Sequence, residues 1–544
     1  MRDSFFGLNV ALRGLYTAQR NMDIVNHNLN NVNTPGYSRQ QGVQVASQPL
    51  AIYDGTGMVG TGSDVIGINR VRDEYLDFKY WSESVSYGEW NIKSTQLSEI
   101  EATFNEPSNS GFNTIMNEFY SAMQELAKDP SSSATRALVQ QKGVTVAKYF
   151  NSVANHFEKM QTDINYTINT KVSEVNSLAT QIQQLNKQIY TAELDGSTAN
   201  DLRDQRTALI DKMSKIVNIE ANEVVAGKLP NGKDDKHLVI TISGKAIIDH
   251  FNISKLAVTQ RKTKMNAGDV DNLYEVGWED GNKLEIKGGE LKGYLDIRDG
   301  NDGAAVSSEY TGLQSSSPMY KGIPFYMSKL NQFVRTFAKT INEGLDQDTN
   351  GDGVLEHLPG HADGYRLDST STSSPAGIRF FTMMDGLGGN LSTSEFLASD
   401  GATVSDKYSN ITAKNFAVSK DILSDMNNIS TSSIGGQKGN IDVLNSLIAM
   451  RHNTHMFEEG APEDFMKSLV ATLGIDAQQA ERLTSNQQTI VQQIDNRRTS
   501  TSGVSIDEEM ANLVKYQQAY SAAARMITTM SEVYDTLVNK VGVI

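Results

Sequence analysis

The chain has 544 residues, enough for three or four domains at about 150 residues each, and carries 49 basic against 65 acidic residues, a formal net charge of −16. Such a surface is a poor partner for nucleic acid, which needs clustered Lys and Arg to displace counterions, and for anionic membranes. The absence of cysteine excludes disulfides, thiolate nucleophiles and Cys-ligated metal centres. No apolar run approaches the roughly 18 residues of a bilayer span, so no membrane insertion is expected.

The opening residues do not read as a secretory signal, because Asp3, Asn9 and Arg13 interrupt any apolar stretch. From Phe5 the positions Phe5, Leu8, Leu12, Leu15, Gln19, Met22, Asn26 and Leu29 advance by alternating threes and fours. That is a heptad seam with two polar interruptions. Ser4 can cap this helix, and Thr34-Pro35-Gly36 stops it, since proline disfavours a helical residue before it.

Residues 37–70 alternate as extended chain, and 71–220 read as mostly helical. Near Ile219 the period changes to two, as in His237–Ile242, and β character continues to about 290. A helix returns at 325–343, followed by a Gly/Ser/Thr/Asp-rich stretch at 346–410 and further helices from about 440 to 500. At the end, Ile506, Met510, Leu513, Gln517, Tyr520, Ala524, Ile527, Ser531, Tyr534, Val538 and Val541 repeat the heptad, opened by a Ser505/Glu508 capping box. A second stripe of Met526, Met530, Val533 and Leu537 gives this helix more apolar face than one partner covers.

The fold class that follows is mainly α with inserted β domains: terminal helices paired as a coiled coil, a helical-bundle trunk and an outer β-rich part. Its division would be 1–36 with 503–544 as the coiled coil, and 37–220 with 288–345 and 411–502 as the trunk. The outer β-rich part would then be 221–287 with 346–410. The expected contact residues are Leu8, Leu12, Leu15, Met22 and Leu29, facing Met510, Leu513, Tyr520, Ile527, Tyr534 and Val538. Without a neighbour these faces are expected to stay unstructured.

Motifs with catalytic or ligand chemistry fail on context. Gly55, Gly57 and Gly60 match a dinucleotide fingerprint, but no helix opens after them and no βαβ unit surrounds them. Asp348, Asn350 and Asp352, with Gly353, begin like a calcium loop, yet Pro359 stands where the bidentate glutamate belongs. That leaves a weak calcium candidate and no other metal site. The pairs His452/His455 and His357/His361 lack a zinc-protease glutamate and read as surface histidines. No nucleophile elbow or P-loop lysine occurs, so no catalytic residue, cofactor or enzyme activity is expected.

One string is more specific. Asn28 to Gln40, NLNNVNTPGYSRQ, directly after the amphipathic helix, resembles the signature of bacterial flagellar rod, hook and hook-associated proteins. Its PGYSRQ part is closest to the FlgK-type, hook-associated protein 1 branch. Val65–Phe78, Asn200–Lys212, Gly289–Gly300 and Gly503–Lys540 are similar to the same branch, so the resemblance covers roughly 1–345 and 410–544. It implies paired terminal helices lining an axial channel, a helical wall and projecting β domains. It further implies export, unfolded and without a cleaved signal, through the flagellar type III apparatus, and an extracellular place at the hook–filament junction. The implied partners are copies of itself in a ring, the hook protein, the second hook-associated junction protein and a cytoplasmic export chaperone. A hook or rod subunit is the nearest alternative; an extracellular adhesin or enzyme working through 346–410 is the distant one.

Overall fold

The computed structural model describes residues 6–52, 57–104, 111–308, 310, 315–348 and 353–540. Ser4, Phe5, Asn350, Asp352, Gly55 and Val541, named above, lie outside them.

Helix α1 (Phe6–Asn30) leads into two antiparallel ladders, β1 (Gln40–Ala46) with β4 (Ser63–Arg70) and β2 (Leu50–Ile52) with β3 (Gly57–Val59). Gly57 therefore sits in a hairpin strand, with no nucleotide-binding helix after it. The trunk follows: α2 (Glu74–Phe104), α3 (Phe112–Lys128), α4 (Ser133–Glu193) and α5 (Asn200–Ile216). The 61 residues of α4 make a mast of about 90 Å at 1.5 Å per residue. Ser132 caps it by accepting from the Thr135 amide, and its buried stripe runs from Val139 through Phe150, Phe157, Ile168 and Val175 to Ile189.

Next come β5 (Glu220–Lys228), β6 (Asp234–Ile242), β7 (Lys245–Asp249) and β8 (Asn252–Ile253), an antiparallel sheet in sequence order. The hairpin β9 (Leu256–Gln260) and β10 (Tyr274–Trp278) follows. Helices α6 (Glu290–Asp299) and α7 (Ile323–Glu343) return to the trunk.

The segment expected to be β-rich beyond 346 is mostly irregular. It holds the short ladders β11 (Leu345–Gln347) with β12 (Glu356–Leu358) and β13 (Phe381–Met383) with β14 (Phe416–Val418). Helices α8 (Thr393–Leu397), α9 (Val404–Lys407) and α10 (Lys420–Ser424) are a turn or so each. Its apolar run does not project: Phe380 and Phe381 are buried among Phe119, Phe337 and Phe416, and Gly143 of α4 leaves room for the Phe380 ring. The four-stranded sheet meets the mast elsewhere. Asn186 donates to the His250 carbonyl, whereas Asn151 donates to Ala413, Lys414 and Phe416. That spacing is roughly 50 Å along the helix, so the two β-bearing segments are separate attachments.

The chain closes with α11 (Asp442–Ala449), α12 (Pro462–Ser502), which packs along α2, and α13 (Ile506–Asp535), which packs along α1. The termini, expected to be unstructured without a neighbour, are thus two long helices paired within one chain. Among the described residues no helix is long and apolar enough to cross a membrane.

Candidate functional site: the joint between the terminal helices and the trunk

The register of α1 on α13 is set by small residues. A Cβ on Gly7 would come within 2.7 Å of the Met530 methyl, Gly14 faces Ala523, and Asn28 bonds Glu509. Each step toward the end of α1 is a step back along α13, so the helices run antiparallel. By heptad spacing the contact stripe of α1 includes Gly7, Ala11, Gly14, Ala18, Asn21, Val25 and Asn28, of which Ala11, Ala18, Asn21, Val25 and Asn28 are buried.

The expected contact residues divide. Leu8, Leu15, Met22 and Leu29 are half-buried, as are Leu513, Tyr520, Ile527 and Tyr534. Leu12, Met510 and Val538 are 38%, 48% and 72% exposed and lie outside the intramolecular contact. The large apolar residues pointed to a stripe about one residue out of phase, because glycine and alanine, which let two backbones approach, carry no hydropathy signal. An adjoining flank of α1 lies on β4: Thr17 Oγ1 donates to the Ser63 carbonyl at 2.7 Å and Arg20 to the Val65 carbonyl at 3.2 Å.

Where this helix pair meets the trunk, the flagellar-type segments converge. Asn28 is 1% exposed and uses its whole amide. Nδ2 donates to the Gln40 carbonyl (2.9 Å) and to Glu509 Oε2 (3.1 Å); Oδ1 accepts from Tyr37 Oη (2.8 Å) and the Gln40 amide (2.9 Å). One side chain therefore ties the end of α1, the start of β1 and the first turns of α13. Burial, with Asp201, Asp204 and Glu509 nearby, pushes the Tyr37 phenol up, so it remains a donor.

Ser38 is fully buried. Its amide and hydroxyl both donate to Asp204 of α5, at 2.7 and 2.8 Å, and Arg70 donates to the same carboxylate at 2.8 Å. Arg72 grips Asp77 through two bonds of 2.7 and 2.9 Å and reaches Ser38 Oγ at 2.9 Å. Burial alone would lower the Arg72 guanidinium, but Asp77, then Asp211 and Asp204, more than offset it. Arg498 of α12 pairs with Asp77 and Asp211, each at 2.9 Å, and Trp81 Nε1 donates to Asp211 at 2.6 Å. Burial pushes the Asp211 carboxyl up, against the pull of Arg498 and Trp81.

Across the second chain crossing, the Arg39 amide donates to the Ser502 carbonyl (2.7 Å) and its guanidinium to Glu508 (2.8 Å). Ser505 caps α13 by accepting from the Glu508 amide. The Glu508 carboxylate thus meets Arg39, a partner that the capping-box reading did not foresee. Asp204, Asp211, Arg498 and Glu509 were not singled out from sequence; the signal available was polar residues on helix faces that otherwise face inward. In the similar segment Gly289–Gly300, Gly293 lets α6 approach Glu89 and Ile92 of α2.

The other candidates disperse. Asp348 accepts from the Gly353 amide, and no cluster of three metal-ligating side chains occurs among the described residues. His357 is half-exposed between Asp346 and Asp363, but His361, expected at the surface, is completely buried. Its Nδ1 lies 2.7 Å from the Ile378 carbonyl and its Nε2 accepts from the Ser430 amide at 2.9 Å, so both ring nitrogens are satisfied inside.

The comparisons match this geometry at both ends and in the middle. Residues 97–357 match the family model for the flagellar hook-associated protein FlgK helical domain. Residues 8–37 match the flagella basal body rod protein family, and 496–540 the flagellar basal body rod FlgEFG protein C-terminal family. The flagellar hook-associated protein 1 of Bacillus subtilis is 29% identical over 550 residues, spanning 100% of this chain and 99% of the relative. The chain is similar along its whole length to the FlgK family. The family's Salmonella typhimurium member, also a flagellar hook-associated protein 1, is 23% identical over 98% of this chain and 99% of its own. The flagellar hook junction protein FlgK of Burkholderia pseudomallei shares the fold at a TM-score of 0.55, with 10% identity, covering 78% of this chain and 100% of that one. In this chain, therefore, the segments that carry the likeness build the joint between the helix pair and the trunk.

Proposed function

We propose that this chain is a structural component of the flagellum that forms the hook–filament junction, an adaptor ring on which the filament is assembled. The observation that carries the reading is the joint. It fixes a paired-helix axial element to a long helical trunk through residues drawn from four separate segments of sequence, in a chain alike end to end to hook-associated protein 1. A hook bends and a filament is stiff, so a layer between them must present different faces above and below. Helices held at a fixed angle to a trunk do that without catalysis, and no enzyme role is assigned.

The division into a coiled-coil unit, a discontinuous trunk and outer segments at 221–287 and 346–410 belongs to the same proposal. So do export through the type III apparatus, an extracellular place, and contacts with the hook protein and the second hook-associated protein. The rod-type matches at 8–37 and 496–540 suit a hook or rod subunit equally, but the helical-domain match at 97–357 favours the junction. A strain lacking the gene decides it: hooks without filaments, with filament protein shed into the medium, are expected. Absent hooks would place the chain lower in the axis, and normal filaments would refute the reading. Deleting 505–544 is expected to abolish capture by the export chaperone in a pull-down; undiminished capture would remove that partner from α13.

A further inference from the structure

The four-stranded sheet is seated on the trunk through the turn between β7 and β8, and that turn contains an unusual imidazole. His250 is 8% exposed, has a left-handed backbone (φ 50°), and neither ring nitrogen has a hydrogen-bond partner. Its ring lies flat on His237 of β6, with centroids 3.7 Å apart and planes 3° from parallel. Phe251 covers it at 3.7 Å, and Tyr190 of α4 packs edge-on against both His250 and Phe251. The turn is tied down by its backbone: Asn186 Nδ2 donates to the His250 carbonyl at 2.9 Å, and Gln183 Nε2 to the Phe251 carbonyl at 2.6 Å.

The charged groups around the pair are few. Asp235 of β6 lies 3.2 Å from His237 Nε2, and Asp249 of β7 adjoins His250 in the chain. From α5, Arg206 donates to Asn186 Oδ1 at 3.0 Å and pairs with Glu223 of β5, which Arg203 shares. His237 thus has an acceptor for a proton, and His250 has none. A proton on His250 would place an imidazolium face to face with His237 and near Arg206, with two N–H donors and nothing to receive them.

We propose that the His237–His250 stack is a proton-operated release, which holds the four-stranded sheet on α4 at neutral pH and lets the 249–252 turn lift when His250 takes up a proton. The direction of titration agrees: burial first, then His237 and Arg206, push the His250 imidazole down, against Asp235 and Asp249. A group lowered in the folded state contributes its full stability above its ordinary value and loses it as pH falls below that value. The release therefore operates on acidification. Each unit of difference between folded and unfolded values is a tenfold effect on opening.

Hydrogen exchange of the intact chain at pH 7.5 and 5.0, corrected for intrinsic rates, tests it. Peptides within 236–253 are expected to lose protection at least tenfold more than peptides within 74–104 and 462–490 of α2 and α12. In the double variant His237→Phe, His250→Asn the difference is expected to vanish; phenylalanine keeps an apolar ring on β6, and asparagine tolerates the left-handed backbone. Equal loss in both regions of the parent, or an unchanged response in the variant, would overturn the proposal. Imidazole titration of the parent by NMR is independent of variant folding. One ring of the pair titrating well below the ordinary histidine range supports the release, and two ordinary titrations refute it.

Discussion

At the scale of single residues, Asn28 and His361 show how buried polar groups are made affordable by complete hydrogen bonding. Asn28 has two donors and two acceptor sites, and all four are used. Asn28→Ala strands Glu509 Oε2, the Tyr37 hydroxyl and the Gln40 amide together, and is expected to cost on the order of 3 kcal/mol. Denaturant titration reads that cost, and limited proteolysis should show cleavage appearing first near 31–39 and 500–508; an unchanged midpoint would deny Asn28 its role. His361 carries a prediction in pH. Burial, with Arg136 and Arg379 near, pushes its imidazole from 6.5 down to about 4, against the bond to the Ile378 carbonyl. The folded value is the lower one, so the stability is complete above about 6.5 and is lost as pH falls toward 4, about 3 kcal/mol in all. Thermal melts across that range should fall more steeply for the parent than for His361→Gln; parallel curves would contradict the assignment.

At the scale of elements, close approach governs the trunk. Gly88 of α2 lies against the backbone of Lys215 at the end of α5, and a Cβ there would overlap the Lys215 carbonyl oxygen. Gly88→Ala raises helix propensity in isolation yet is expected to destabilise the protein by about 2–3 kcal/mol, because a carbonyl in a helix cannot move aside as a side chain can. A midpoint equal to or above the parent's would show that the helices can separate without penalty. The helical elements and the first β ladder were legible from period and punctuation. Residues 346–410 were not, since their apolar run, Ile378–Met383, is packed among the rings of α3 and α7 and against Gly143 of α4, and only its last three residues pair, in a short ladder with β14.

At the scale of the whole molecule, two surfaces must be told apart on the terminal helices. One is used inside the chain; the other side of the pair exposes apolar residues such as Leu12 of α1 and Met510 and Val514 of α13. Leu12→Asp is expected to leave stability within about 0.5 kcal/mol of the parent, as exposed substitutions do, while abolishing incorporation into flagella. Ile527→Asp, at a half-buried position, is expected to lose both. Comparing unfolding midpoints with incorporation in a complemented strain separates the two effects, and normal incorporation of Leu12→Asp would remove that face from assembly.

The sequence alone determined the helical class, the heptad character of both ends, the change of period near 219 and the flagellar likeness. These depend on neighbours a few residues apart or on strings of residues read in order. Only the tertiary structure decided which stripe of α1 meets α13, that His361 is internal, and that Ser38, Arg72, Asp77, Asp204, Asp211 and Arg498 form one charge network. Such pairings join residues far apart in the chain. A glycine that admits a neighbouring helix, or an arginine that finds its carboxylate inside, carries no mark of its partner until the backbone brings the two together.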